Sequence, residues 1–388
     1  MPARRWIVLG AVAVLAGFLA WRSFRPMNIF VVSPAFERPV DSGAAPAVLG
    51  KLRAENCGAC HPQQYRDWQT TVHSRAWTEP YFQADWAFDG RQQICRNCHT
   101  PLDRQQEHRV LGFRDRAKWD PVLAPNPDFD AELQKEGVTC AGCHFRDGKI
   151  MGPGKSANAP HPTEKFSDPN EVCLRCHVVQ GNRWDTFYKM PPCGTVAEIA
   201  ATEGRMSKRS GEYTVRDVAG LGCVQCHMPE GRHLWRGGHD PAMVRSALSA
   251  SLSQSSADGA RSAQLVLENS GAAHFLPTGT PDRHLSISLR ALDARGQVLA
   301  ETDDTLQRTV MWRPFIVDLW DSRLQRGAPR RYSLELPAQT RTVEAQVRYH
   351  LLGEARRERI GYQPEAPLSY PIFDQRLAVE ARPTAAAR

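Results

Sequence analysis

The sequence predicts an α + β chain built in successive parts: one apolar N-terminal helix, a mostly helical and looped segment, and an antiparallel β-sandwich. Three observations carry this. An uncharged run extends from Trp6 to Ala20 behind Arg4 and Arg5. All eleven Cys fall between residues 57 and 226, in a stretch with many Gly, Pro and polar residues and few long apolar runs. From about residue 246 no Cys occurs, and apolar and polar residues alternate in steps of two.

The N-terminal part, residues 1–22, reads as a membrane anchor. As a helix, Trp6 to Trp21 spans about 24 Å at 1.5 Å per residue, slightly short of a bilayer core of about 30 Å. Trp6 and Trp21 suit the two interfaces, and Arg22 can snorkel. A cleaved signal peptide is the rival reading. The run ends Leu19-Ala20-Trp21 and continues Arg22-Ser23-Phe24-Arg25, with no clean small-x-small site, which favours an uncleaved anchor. Arginines flank both ends, so charge alone does not orient it. Residues 23–49 contain Pro26, Pro34, Pro39 and Pro46 and read as a spacer.

Residues 50–245 hold five C-x-x-C pairs, each followed at once by His. They are Cys57-Gly58-Ala59-Cys60-His61, Cys95-Arg96-Asn97-Cys98-His99, Cys140-Ala141-Gly142-Cys143-His144, Cys173-Leu174-Arg175-Cys176-His177 and Cys223-Val224-Gln225-Cys226-His227. This is the attachment pattern for a c-type haem. The spacing puts two thiols on one side of a helical turn, where they add to the two vinyl groups of one porphyrin. The next residue, His, then reaches the iron as proximal ligand.

Other readings of the Cys pairs are weaker. His is 13 of 388 residues, so five pairs all followed by His by chance has odds of about 10⁻⁸. Zinc knuckles need no His in the fifth position, and five pairs do not divide into two-pair sites. Disulfides between Cys three apart would staple nothing distant. The expectation is five covalently attached haems c. Their flat apolar faces supply the core this stretch otherwise lacks, with short helices and loops wrapped around them. One helix is expected near 128–136 and another near 240–248. Because haem is attached to this motif outside the cytoplasm, the part beyond residue 22 is expected on the periplasmic side of a Gram-negative inner membrane, anchored by residues 6–21.

Residues 246–380 read as the sandwich. Leu285, Ile287 and Leu289 alternate with His284, Ser286, Ser288 and Arg290. Tyr332, Leu334 and Leu336 alternate with Ser333 and Glu335. Val343, Ala345, Val347, Tyr349 and Leu351 alternate with Glu344, Gln346, Arg348 and His350. Asp258-Gly259 and Asp293-Ala294-Arg295-Gly296 are turn signals.

An electron-carrying haem iron usually has six ligands, often two His. Outside the motifs, residues 50–245 hold His73, His108, His161, His233 and His239, five candidates for five distal positions. His284 and His350 fall on polar strand faces and read as surface residues. His274, in Ala272-Ala273-His274-Phe275-Leu276-Pro277-Thr278-Gly279, sits in a loop before a strand. It reads either as a structural loop residue or as a group docking the sandwich onto a haem. Cys193 is left over. A buried thiol is the plain reading, and an axial ligand or a reactive group beside a haem is the sharper one.

The stretch Cys57…His61 with Tyr65 and Trp68, continuing to His73-Ser74-Arg75-Ala76, resembles the opening motif of the cytochrome c-554 / c-prime family, which includes the tetrahaem partner of hydroxylamine oxidoreductase. The family pattern has a Ser two residues before the downstream His. Here Val72 precedes His73, and Thr70 and Thr71 stand near the usual Ser. The resemblance implies that His73 is a distal ligand. Gly137-Val138-Thr139-Cys140…Asp147-Gly148 with Ala159-Pro160-His161 resembles a module of related multihaem cytochromes, as does Cys223…Met228-Pro229 with Gly237-Gly238-His239-Asp240. These matches imply His161 and His239 as ligands. Gly271…His274…Pro277-Thr278-Gly279 resembles a motif opening the C-terminal β-domain of such proteins. A fifth haem departs from the tetrahaem pattern, so haem-by-haem pairing does not carry over.

The expected function is therefore electron transfer between a respiratory donor and a terminal acceptor, through redox protein partners. An alternative is a multihaem enzyme with one open iron acting on a small nitrogen or sulfur compound, although the sequence has no C-x-x-C-K motif. A third is a docking subunit of a larger redox complex. The net charge of +7 with 23% charged residues decides little about partners. No Lys/Arg-rich block is interleaved with aromatics, which excludes nucleic acid as a partner.

Overall fold

The computed structural model describes residues 2–24, 37–43, 45–116, 118–177, 186–187, 193–203, 222–257 and 260–379. The apolar run forms helix α1 (Pro2–Phe24), of which Arg4–Phe24 is long and apolar enough to cross a membrane. Its outer surface is bare over most of its length, as an unpartnered apolar helix requires. Only its C-terminal end is packed. Phe18 meets Phe315 with ring centroids 6.4 Å apart, and Arg22 is buried with Nε donating to the Pro314 carbonyl at 3.1 Å. Arg22, expected to reach a membrane interface, instead joins α1 to a strand loop near the far end of the chain.

Pro26 and Pro34 lie outside the described residues. Residues 37–43 and 45–49, expected within the spacer, lie against the Cys-bearing segment. Val40 and Leu49 are buried, and the Val40 amide donates to the Pro101 carbonyl at 2.7 Å.

The Cys-bearing segment consists of short helices and small strands. They are α2 (Ala54–Gly58), α3 (Pro62–Gln69), α4 (Pro80–Phe88), α5 (Gln93–His99), β1 (His108–Phe113), β2 (Pro121–Pro125), α6 (Ala131–Lys135), α7 (Cys140–His144), β3 (Phe145–Arg146), β4 (Lys149–Gly152), β5 (Thr163–Lys165), α8 (Glu171–His177), β6 (Thr186–Phe187), α9 (Thr195–Thr202), α10 (Cys223–His227) and α11 (Pro241–Ala247). The helix expected at 128–136 begins at Ala131 because Asp130 caps it, its side chain accepting from the Glu132 and Leu133 amides. That expected at 240–248 is α11. Asp240 caps it and Leu248 turns extended to begin the next strand. Protein-only apolar clusters here are small. One gathers Leu52, Leu102, Leu133 and Phe145, and another Val196, Ile199 and Phe275.

The C-terminal segment is a two-layer sandwich. Its strands are β7 (Leu248–Ala257), β8 (Ala260–Asn269), β9 (His284–Leu292), β10 (Val298–Met311), β11 (Ile316–Asp321), β12 (Arg330–Glu335), β13 (Thr342–His350) and β14 (Ser369–Ala378). One sheet runs β14-β13-β9-β10-β11-β6 and the other β12-β8-β7. Alternation decides which face is buried: Leu285, Leu289, Val343, Ala345 and Val347 meet Leu265 and Leu267 of the facing sheet, all with no exposed surface. A cavity left by truncating one of these Leu costs about 2–5 kcal/mol. The Asp293–Gly296 turn joins β9 to β10, its Gly296 at φ +77° and its Asp293 carboxylate accepting from the Gln297 amide. Asp258 and Gly259 fall outside the described residues. Strand β6, from the Cys-bearing segment, pairs parallel with β11 and extends the larger sheet. A short helix, α12 (Glu354–Arg359), lies between β13 and β14.

Candidate metal centres

Each motif lies on one short helix or the turn that ends it. In the first, α2 carries Cys57, and the amides of Cys60 and His61 both return to the Cys57 carbonyl. Gly58 is required there, since a Cβ would come 2.6 Å from the Tyr65 ring. Tyr65 in turn stacks on Trp68, whose Nε1 donates to the Val138 carbonyl at 2.8 Å, just ahead of the third motif. The aromatic residues of the opening pattern thus fix the distance between the first and third motifs.

Thiols of different motifs are neighbours at Cys57 and Cys140, at Cys98 and Cys176, and at Cys173 and Cys223. Polar clasps hold two of these pairings. Glu136 Oε2 accepts from the Ala54 amide at 2.9 Å and the Thr139 hydroxyl at 2.8 Å, holding the starts of both α2 and α7. Buried Asn170, just before α8, accepts through Oδ1 from the Val224 amide in α10 at 3.0 Å.

Three motif imidazoles have Nδ1 against a carbonyl: His99 on Ala76 at 2.6 Å, His144 on Met151 at 2.6 Å, and His227 on Arg236 at 2.7 Å. A carbonyl only accepts, so the proton sits on Nδ1 and Nε2 keeps its lone pair. Burial lowers the pKa of His99 to about 4 and lowers those of His144, His177 and His227 as well. The neutral imidazole is the form that binds a metal.

Two imidazoles bound on opposite sides of one metal ion at about 2.0–2.1 Å have ring centroids about 6.3 Å apart. Three His pairs fit. His73 and His177 are 6.4 Å apart, His144 and His233 are 6.0 Å apart, and His227 and His274 are 6.4 Å apart. His73 and His233 were expected as distal candidates, and burial lowers both of their pKa values, His73 to about 4. His274 was read only as a loop or docking residue. Its signal was the Gly271…Gly279 motif, but strand and loop patterns do not show which haem a loop faces. Trp235 was not singled out. Its ring touches His73 at 5.2 Å and His233 at 5.1 Å, bridging two of the pairs.

Among the described residues, no second imidazole lies in ring contact with His61 or His99. Phe82 stacks flat on His99 at 3.5 Å. His108, at the start of β1, His161, just before β5, and His239, before α11, meet no motif imidazole in this way. His161 keeps a buried Nδ1 without a hydrogen-bond partner, and burial lowers the pKa of His239 to about 4. His284 and His350 lie opposite each other on β9 and β13, stacked at 4.2 Å on the face away from the sandwich core. Cys193 stands at φ +59°, and burial pushes its thiol up to about 11, the behaviour of a protonated thiol.

The donor set fits haem c: paired thiols one turn apart, neutral imidazoles oriented through Nδ1, and opposed imidazoles at iron-spanning distance. Among the described residues, no cluster of His, Cys, Asp and Glu forms a bare metal-ion site.

The model of the family "Cytochrome c554 and c-prime" matches residues 56–118. No curated protein matches the chain. Among solved structures, it is similar to a penta-heme cytochrome c552 from Thermochromatium tepidum, with 20% identity and a TM-score of 0.61 over 85% of this chain and 99% of that one. At that identity the likeness shows the fold. The chain thus carries one segment that matches the cytochrome c554 and c-prime family, within a fold similar to that of a penta-heme cytochrome.

Proposed function

We propose that the protein carries electrons through five covalently bound haems, tethered by α1 to the periplasmic face of an inner membrane, between a respiratory donor and a terminal acceptor. The observation that carries this reading is the meeting of motif thiols across the chain. Cys57 with Cys140 brings the first and third motifs together, Cys98 with Cys176 the second and fourth, and Cys173 with Cys223 the fourth and fifth, so that every attachment point has another beside it. Bound there, the irons supply one-electron couples. The ten thiols would tether the porphyrins, backbone carbonyls would orient the imidazoles, and the opposed His would hold iron, which would limit ligand rearrangement between oxidation states.

A second reading is catalysis at an open iron acting on a small nitrogen or sulfur compound. It draws on His61 and His99, which face no second imidazole among the described residues. One experiment separates the two. The matured full-length protein is assayed for haem content by pyridine haemochrome and mass, and its oxidised form by low-temperature EPR. Five haems with only low-spin ferric signals support the carrier. A stoichiometric high-spin signal at one haem moves the assignment to catalysis.

A further inference from the structure

The loop between β8 and β9 comes from the sandwich, yet it reaches the fifth motif. His274 and His227 lie 6.4 Å apart between ring centroids, with ring planes only 15° from parallel. Both rings have Nδ1 engaged with a carbonyl, His227 with Arg236 at 2.7 Å and His274 with Phe275 at 2.9 Å. That leaves Nε2 on each as the nitrogen with a free lone pair.

The loop is built to hold this position. Buried Asn269 donates through Nδ2 to the His274 carbonyl at 2.7 Å and accepts through Oδ1 from the Ala272 amide at 3.1 Å. The Phe275 amide donates to Glu198 Oε2 at 3.2 Å, on α9 of the Cys-bearing segment. The Phe275 ring packs in the cluster that includes Cys223 of the same motif. Gly271 permits the approach, since a Cβ there would lie 2.1 Å from the Ser246 carbonyl oxygen. A structural loop histidine needs none of these constraints on its neighbours. A metal ligand needs its backbone fixed on both sides.

We propose that His274 is the second axial ligand of the haem held by Cys223, Cys226 and His227, so that the β8–β9 loop of the β-sandwich completes a haem site. The sandwich is then part of the redox core, and its docking sets the coordination of the fifth haem. This inference rests on the reading of the motifs as haem sites.

The test uses the matured full-length protein and His274→Ala. Peptide mass mapping first establishes haem on Cys223 and Cys226; its absence from the wild type would sink the haem reading itself. With haem present, the variant is expected to gain a high-spin ferric EPR signal of about one haem equivalent, returned to low spin by added imidazole. A fully haem-loaded variant with the wild-type spectrum overturns the proposal. Should the alanine variant fail to mature, His274→Met carries the test. It is expected to stay low-spin with one haem shifted to a higher potential, and an unchanged set of potentials overturns the assignment.

Discussion

Asp67 and Arg232 lie 165 residues apart and meet in a bidentate pair, with Arg232 Nε on Oδ2 and Nη2 on Oδ1, both at 2.7 Å. Asp67 is 4% exposed and also accepts from the His233 amide at 3.1 Å. The pair therefore fastens the loop carrying His233 to helix α3, next to the first motif. Replacing Asp67 with Ala is expected to free His233 from its place opposite His144. The readout is a partial high-spin signal from the haem on Cys140 and Cys143, with the other haems unchanged.

The same carboxylate gives a pH prediction. The Arg232 side chain, with help from the His233 amide and Gln63, holds the Asp67 pKa well below the ordinary carboxylate range, against the opposing effect of burial. A depressed folded pKa gives stability that is present above the unfolded value, about 3.9, and lost as pH falls through the folded one. Thermal melts of wild type and Asp67→Asn should therefore differ most above about pH 4. The gap should narrow as the pH is lowered further. A gap that stays constant down to the lowest pH would disprove the linkage.

Gly137 carries a separate prediction. It sits at φ +61°, and a Cβ there would meet the His73 carbonyl oxygen at 2.7 Å and the Ala76 amide nitrogen at 2.8 Å. Neither backbone atom can swing away cheaply. The His73 carbonyl also accepts from the Val138 amide at 2.9 Å. Gly137→Ala is expected to cost about 1–3 kcal/mol in stability. It should also shift His73 relative to His177 and so perturb the haem spectrum. Chemical denaturation and EPR on one sample read both effects.

Much of the chemistry was legible in local sequence. The five motifs, the period-2 strands and the caps at Asp130 and Asp240 depend on neighbours within a few residues. His73 was singled out because its motif lies beside the first C-x-x-C-H. What the sequence did not show is long-range. Cys57 and Cys140 are linked through Glu136 and Trp68, and nothing in either motif encodes the other. His233 takes its place through Asp67, and His274 through Asn269 and Glu198. In each case the deciding contact joins segments far apart in the chain. The same holds for part of the expected spacer: Pro39 and Pro46 read as linker residues, and the contact of Val40 with the Pro101–Leu102 segment is long-range.

Helix α1 is predicted to hold the protein at the membrane. Deleting residues 1–24 behind a cleavable export signal should move the matured protein from the membrane pellet to the soluble periplasmic fraction. Haem content should be unchanged, because α1 touches the described remainder through Phe18, Arg22 and Ser23 at Arg313, Pro314 and Phe315, far from any motif in sequence. Carbonate-washed membranes probed for haem distinguish the outcomes. Retention of the truncated protein in the pellet would assign the tether to another part of the molecule.

The joint between the two segments rests on a buried ion pair. Glu198 on α9 and Arg323 after β11 are each 3% exposed in their side chains, with Oε1 and Nη1 2.5 Å apart. Arg323 also pairs with Asp321 and lies 5.1 Å over the Phe275 ring. Removing Glu198 leaves Arg323 in a dry site with Asp321 as its remaining carboxylate. Glu198→Ala is thus expected to destabilise the protein by about 1–3 kcal/mol. Replacing both with apolar residues, Glu198→Leu with Arg323→Met, should recover part of that loss, since the charge left without a partner, Asp321, is the more exposed one. Glu198 also accepts from the Phe275 amide next to His274, so the single variant should raise the high-spin fraction of the fifth haem as well as lower Tm. A fall in Tm with unchanged spin state would mean that Glu198 holds the sandwich in place without fixing the ligand loop.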